Sequence, residues 1–197
     1  IPIVIGQNSP CGSYAIAKPI AERTAGKVGM ISLDTHWDAK PIDTEQGIGV
    51  EMLLTSPDGE EGYPGEVLAA VRYILTDDDT LRIEMAASTD RATPVNLAHH
   101  SYWNLAGHDS GTILGQQLML QCTRYTPAEN LIPTGEIALV AGTPLDFTTA
   151  KSIGQDIGQF PGDGADDPGG YDHNFVIDGF SLKEAGALRF AARAIDP

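Results

Sequence analysis

The chain has 197 residues, of which 42% are hydrophobic, with 12 Lys and Arg against 27 Asp and Glu, for a formal net charge of −15. That balance argues against nucleic acid and anionic membrane as partners, and the apolar share suffices for a sizeable core. No apolar run approaches the roughly 18 residues of a spanning helix. Cys11 and Cys122 allow one disulfide but exclude a disulfide-built scaffold or a cysteine-based zinc site.

Residues 1–36 are rich in Gly, Ala and Pro, with a short Pro-interrupted helical pattern over 15–23. They predict a poorly defined N-terminal segment. The opening Ile-Pro-Ile-Val-Ile lacks the basic start and length of a signal peptide, so the cytoplasm is the default compartment. From Gly49 the pattern changes to period two. Residues 50–55 read as a strand, and Ser56-Pro57-Asp58-Gly59 as a turn, because Pro presets φ and Gly accepts a positive one. Val67, Ala69, Val71, Tyr73 and Leu75 then alternate along a second strand. Leu81, Ile83, Met85 and Ala87 share one face of a third, with residues 76–80 as the hairpin connection. Further strands are expected at 95–105, 118–126, 136–140, 174–177 and 188–195, with one short helix in 149–157 and a loop over 160–170. Short strands separated by Gly, Pro and Asp clusters predict an all-β antiparallel sandwich or barrel. The chain begins at Ile1 and ends just after an alternating segment that would be left with an unpaired edge, so a fragment is expected.

Two clusters carry chemistry. In the first, a strand over 95–105 would place Asn96, Ala98, His100, Tyr102 and Asn104 on one face, a row of hydrogen-bonding groups suited to a sugar. His100 reads either as part of that face or as a solvated sheet histidine, while His99 falls on the apolar face as a satisfied core imidazole. Adjacent strand residues diverge, so His99, His100 and His108 do not predict a metal site. In the second cluster, Gly169 and Gly170 release the chain into a strand, placing Asp172 and His173 at its mouth. A histidine there can exchange protons near neutral pH, or it is an ordinary polar junction. The acidic loop 163–167 fails calcium-loop spacing, and Gly162-Asp163-Gly164 fails as a dinucleotide motif. Trp37 and Trp103 read as core residues rather than sugar-stacking rings.

Several motifs in register resemble the aldose 1-epimerase (galactose mutarotase) family. They are Ser56-Pro57-Asp58-Gly59-Glu60-Glu61-Gly62-Tyr63-Pro64-Gly65, Thr93-Pro94-Val95-Asn96-Leu97, His100-Ser101-Tyr102-Trp103-Asn104-Leu105 and Tyr125-Thr126-Pro127. Ile132-Pro133-Thr134-Gly135-Glu136, Gly142-Thr143-Pro144-Leu145-Asp146-Phe147 and Gly170-Tyr171-Asp172-His173-Asn174-Phe175 follow. The resemblance runs from about Trp37 to the C-terminus. It implies an antiparallel β-sandwich, here a partial domain over 37–197, with a sugar in an open cleft on one sheet. It also implies interconversion of the α- and β-anomers of aldoses such as glucose and galactose. An acid protonates the ring oxygen, a carboxylate takes the proton of the C1 hydroxyl, and the opened ring closes on its other face. By the resemblance, His173 is the acid and His100 hydrogen-bonds the sugar near the ring oxygen. His100, His173 and Asn174 are the substrate-binding candidates. No metal or organic cofactor is implied, since both steps are proton transfers. The family's glutamate base and a sugar-binding aspartate fall beyond residue 197, and residues 1–36 hold no copy of the family's Asn-Arg motif. Activity of this chain is therefore expected to be impaired, and a non-catalytic carbohydrate-binding β-sandwich is the alternative.

Overall fold

The computed structural model describes residues 37–99, 101–129, 132–164, 167–179 and 188–197. The expected N-terminal segment, His100 and Cys11 lie outside the described residues. The described chain is all-β and antiparallel, and it divides into two compact units between Tyr102 and Trp103.

The first unit is a four-stranded meander of β1 (Asp38–Thr44), β2 (Gly47–Ser56), β3 (Val67–Thr76) and β4 (Leu81–Thr89), paired in chain order. Alternation settles its two faces. Val50, Met52 and Val71 are buried on one, packed by Trp37, Ala39, Tyr73, Ile83 and Met85. Trp37 is thus a core residue, as its type suggested, whereas Trp103, expected in the core for the same reason, is 39% exposed. Full burial of side chains of this size contributes roughly 1.5–3 kcal/mol each. The β3–β4 connection closes as expected: the Thr76 amide donates to the Thr80 carbonyl at 3.0 Å, and Asp79 takes a left-handed φ of 61°. Between β2 and β3, Gly65 has φ +86°, and a Cβ there would meet Arg91 Cβ at 2.8 Å, so no side chain fits without a shift.

Strand β1 escapes the sequence reading because Asp38-Ala39-Lys40-Pro41-Ile42-Asp43-Thr44 barely alternates and contains a proline. It is the edge strand, where a residue without an N–H is tolerated. The Thr44 hydroxyl donates to the Gly47 carbonyl at 2.8 Å and closes its tight turn onto β2.

The other face of this sheet carries charge in register. Lys40 pairs with Glu51, Glu51 with Arg72, and Arg72 with Glu84 across the four strands. Glu51 is buried, and its carboxylate accepts from Lys40 Nζ at 2.6 Å and from Arg72 Nε and a terminal nitrogen at 2.8 and 2.7 Å. Hydrogen bonds from these two cations hold its pKa below the ordinary value of 4.5, against the opposing effect of burial. The stabilisation that follows is therefore full above pH 4.5 and lost as pH falls through the depressed folded-state value. Glu51→Gln is expected to lower stability near neutral pH, and its deficit against the native chain should close on acidification. Urea unfolding midpoints from about pH 7 to about pH 3 test this, and a constant deficit would contradict it.

The second unit is built of short strands. β5 (Gln117–Leu120), β6 (Arg124–Thr126), β7 (Ala128–Glu129), β8 (Ile132–Pro133), β9 (Ala138–Leu139) and β10 (Lys151–Ser152) come first. β11 (Pro161–Gly164), β12 (Asp167–Gly169), β13 (Asn174–Val176) and β14 (Ala192–Ile195) complete it. They form sheets ordered β10-β5-β14 and β13-β6-β9, with two-stranded pairs β7-β8 and β11-β12. Val140, Leu145 and Phe147 are buried here, with Cys122.

Four expectations need correction. No described residue from 92 to 104 enters a strand, so the proposed polar face over 95–105 does not form as a sheet face. Pro94 lacks an amide donor, and the Asn104 side chain binds the Gly111 carbonyl, the Ala106 amide and Gln116, holding a turn instead. The single strand expected over 118–126 is two, interrupted at 121–123, where the chain crosses between sheets. The helix in 149–157 is only a 3-10 turn, Ile153–Gln155, followed by another at Ile157–Gln159. The loop 160–170 contains the β11–β12 hairpin.

Candidate functional site

His173 lies at the mouth of β13, the position expected from the two preceding glycines. Strand β13 pairs with β6 in the register Asn174 to Thr126, Phe175 to Tyr125 and Val176 to Arg124. Asn174 is exposed, and its Nδ2 donates to Thr126 Oγ1 at 3.1 Å, tying the start of β13 to the end of β6.

The histidine is half-buried among aromatic rings. Its ring centroid lies 4.9 Å from that of Phe160, tilted by 57°, and 5.8 Å from that of Tyr125, nearly edge-on at 70°. Phe160 in turn meets Tyr171 at 5.4 Å, and Tyr171 meets the buried Phe147 at 5.2 Å. Lys151 Nζ sits 4.4 Å from the centre of the Phe147 ring, held by Asp156 at 2.7 Å and the Pro144 carbonyl at 2.8 Å. The rings pack in orientations that their quadrupoles favour, and the cation caps the row.

This environment acts on protonation. Burial moves the His173 pKa below its ordinary 6.5, and the neighbouring Asp172 carboxylate only partly opposes the shift. Nδ1 of His173 is buried without a hydrogen-bond partner. Burial likewise raises the Tyr171 hydroxyl, with the negative Asp156 adding to it. A half-buried imidazole whose charged form is disfavoured is a strong proton donor once protonated, and a directional N–H donor when neutral.

The remaining candidates fall elsewhere. His99 is half-buried, edge-on to Tyr73 at 5.6 Å, with Ser101 Oγ 2.8 Å from its Nε2, and burial lowers its pKa. Tyr102 is 91% exposed and Asn96 is exposed, while Asn104 is engaged in its turn. Glu60, Glu61 and Glu136 are exposed, as their turn positions suggested. Among the described residues no three His, Cys, Asp or Glu side chains converge as a metal site. Sequence reasoning missed Phe160 and Tyr125 as neighbours of His173. They stand in separate turn-bounded segments with no shared period, so no local signal joins them.

Gly170 sets the approach to the site. Its φ is +104°, and its amide donates to the Phe160 carbonyl at 2.8 Å. Gly170→Ala is expected to cost about 1–2 kcal/mol, because an L side chain is strained at this φ whatever space surrounds it. Chemical denaturation measures this directly, and an unchanged midpoint would refute it.

An antiparallel β scaffold with a half-buried histidine among aromatic rings at a strand mouth defines the class: an all-β protein with a candidate site at that histidine. The aldose 1-epimerase family model matches residues 29–196. The chain belongs to the aldose 1-epimerase family. It is 41% identical over 146 residues to galactose mutarotase of Bos taurus, covering 74% of this chain and 39% of that one. Against galactose mutarotase of Homo sapiens it is 42% identical over 136 residues, covering 68% and 38%. The structure matches galactose 1-epimerase from Lactobacillus acidophilus with a TM-score of 0.65 and 28% identity, over 81% of this chain and 45% of that one. The chain thus spans about 39% of the length of the bovine relative.

Proposed function

We propose that the protein interconverts the α- and β-anomers of an aldose by acid–base ring opening, with His173 as the acid. The observation that carries this reading is the half-buried His173, set among aromatic rings at a strand mouth in a chain of this family. In the proposed reaction His173 delivers a proton to the ring oxygen while a carboxylate removes the C1 hydroxyl proton. The C1–O5 bond breaks, the C1–C2 bond rotates in the open aldehyde, and O5 re-adds to the other face of C1. The proton on O5 then returns to His173, and the carboxylate returns its own to O1. His100 is assigned a hydrogen bond near the ring oxygen, and Asn174 a contact with the sugar. None of Glu60, Glu61 and Glu136 is assigned the base, a role this reading gives to the family's glutamate outside residues 1–197.

Polarimetry of freshly dissolved α-D-glucose and α-D-galactose tests this, with residues 1–197 and with a longer form that carries the glutamate. The longer form should speed relaxation, and His173→Ala should slow it by about 10²–10⁴-fold, the usual worth of one acid–base group. Residues 1–197 alone should not accelerate the reaction. An unaffected His173→Ala variant would remove His173 from the chemistry. Sugar binding by the longer form without acceleration would favour a carbohydrate-binding role.

A further inference from the structure

A histidine that transfers protons must be held in one plane, and the usual device is a hydrogen bond from its second nitrogen to a carboxylate or carbonyl. Here that nitrogen, Nδ1, is buried and unpartnered. Something else must orient the ring, and among the described residues the Phe160 and Tyr125 rings pack against it. Of the two, Phe160 has the closer contact, at 4.9 against 5.8 Å. Its amide donates to the Ile157 carbonyl at 3.1 Å, and its own carbonyl accepts from Gly170, three residues before His173. Its ring is backed by Tyr171, which rests on the buried Phe147.

We propose that Phe160 is the positioning residue of His173, fixing the imidazole plane by ring packing while Nδ1 has no hydrogen-bond partner among the described residues. The proposal rests on the acid role given to His173 above. Its chemical consequence concerns the tautomer. An N–H buried without an acceptor is costlier than an unsatisfied lone pair, so the neutral ring carries its proton on Nε2. That nitrogen is then the donor to a sugar oxygen. Protonating Nδ1 would bury an unmatched N–H, which accords with the lowered pKa. The titratable groups near the ring are the exposed Asp172 carboxylate, which opposes this shift, and the Tyr125 phenol.

The test is nitrogen-detected NMR of His173 in the full chain, comparing native protein with Phe160→Leu, Phe160→Met and Phe160→Tyr. The native ring should show the Nε2–H tautomer and a titration midpoint below 6.5. Phe160→Leu and Phe160→Met should mix the tautomers and move the midpoint towards 6.5, and Phe160→Tyr should restore native behaviour. In a form that shows mutarotation, the Leu variant should lower kcat by about 10–100-fold with little change in KM, as expected of a misoriented catalytic group. Native tautomer and midpoint in a cooperatively melting Leu or Met variant would overturn the proposal. Loss of a cooperative melt in both would also overturn it, since Phe160 would then serve the core rather than the histidine. The NMR result does not depend on turnover, so failure here is distinguishable from failure of the epimerase reading.

Discussion

The geometry around His173 depends on one carboxylate that never approaches the ring. Asp178 follows β13 by two residues. It accepts from the Thr123 amide at 3.0 Å and the Thr123 hydroxyl at 2.7 Å, and its own amide donates to the Gln121 carbonyl at 3.0 Å. These bonds hold the carboxyl below its ordinary pKa. They also decide where β5 ends and β6 begins. Upstream of the clamp the chain pairs with β10 and β14, and downstream it pairs with β13 and β9. With Asp178 at one end and the Asn174–Thr126 bond at the other, β13 has one register on β6, and His173 is delivered beside Tyr125. A slip of one residue would turn every side chain of β13 to the opposite face.

The two units stabilise themselves differently. The first is a regular meander in which period-two alternation separates a hydrophobic face from a ladder of charge. Glu51 sits at the centre of that ladder with a cation on either side, so a buried carboxylate is not left uncompensated. The second has strands of two to four residues and relies on side chains that bind backbone. Asn104, Thr143, Asp146 and Asp178 each fix a local turn or crossing this way. Such bonds compete with ladder formation, which explains why its strands stay short.

The aromatic row from Phe147 to His173 joins this local order to chemistry. The rings supply a dry surround that disfavours the imidazolium, and they pack on the ring without consuming Nδ1 in a hydrogen bond among the described residues. The ion pair of Lys151 with Asp156 caps the far end, where the cation faces the Phe147 ring. Packing and protonation are thus aspects of one arrangement.

The sequence by itself determined the all-β class, strands β2 to β4 and their hairpin, and the placement of His173 at a strand mouth. Each rests on local information: period-two patterning, Gly and Pro where φ demands them, and motifs of contiguous residues. Tertiary structure alone decided the rest. The edge strand β1 is polar and carries Pro41, and only its neighbour makes it a strand. The break at 121–123 lies inside a run, 118–126, that holds no Gly, Pro, Asn or Asp to signal a turn, and it exists because Asp178, some 55 residues away in sequence, captures Thr123. The reading of 95–105 failed for the converse reason: its alternation was real, but side-chain bonds and a proline took the backbone out of any ladder. The rings of the row that ends at His173 come from positions 125, 160, 171 and 147, of which 125 and 160 touch the imidazole, and these positions share no period. Contacts between distant segments leave no mark in local pattern, and only the closed chain brings them together.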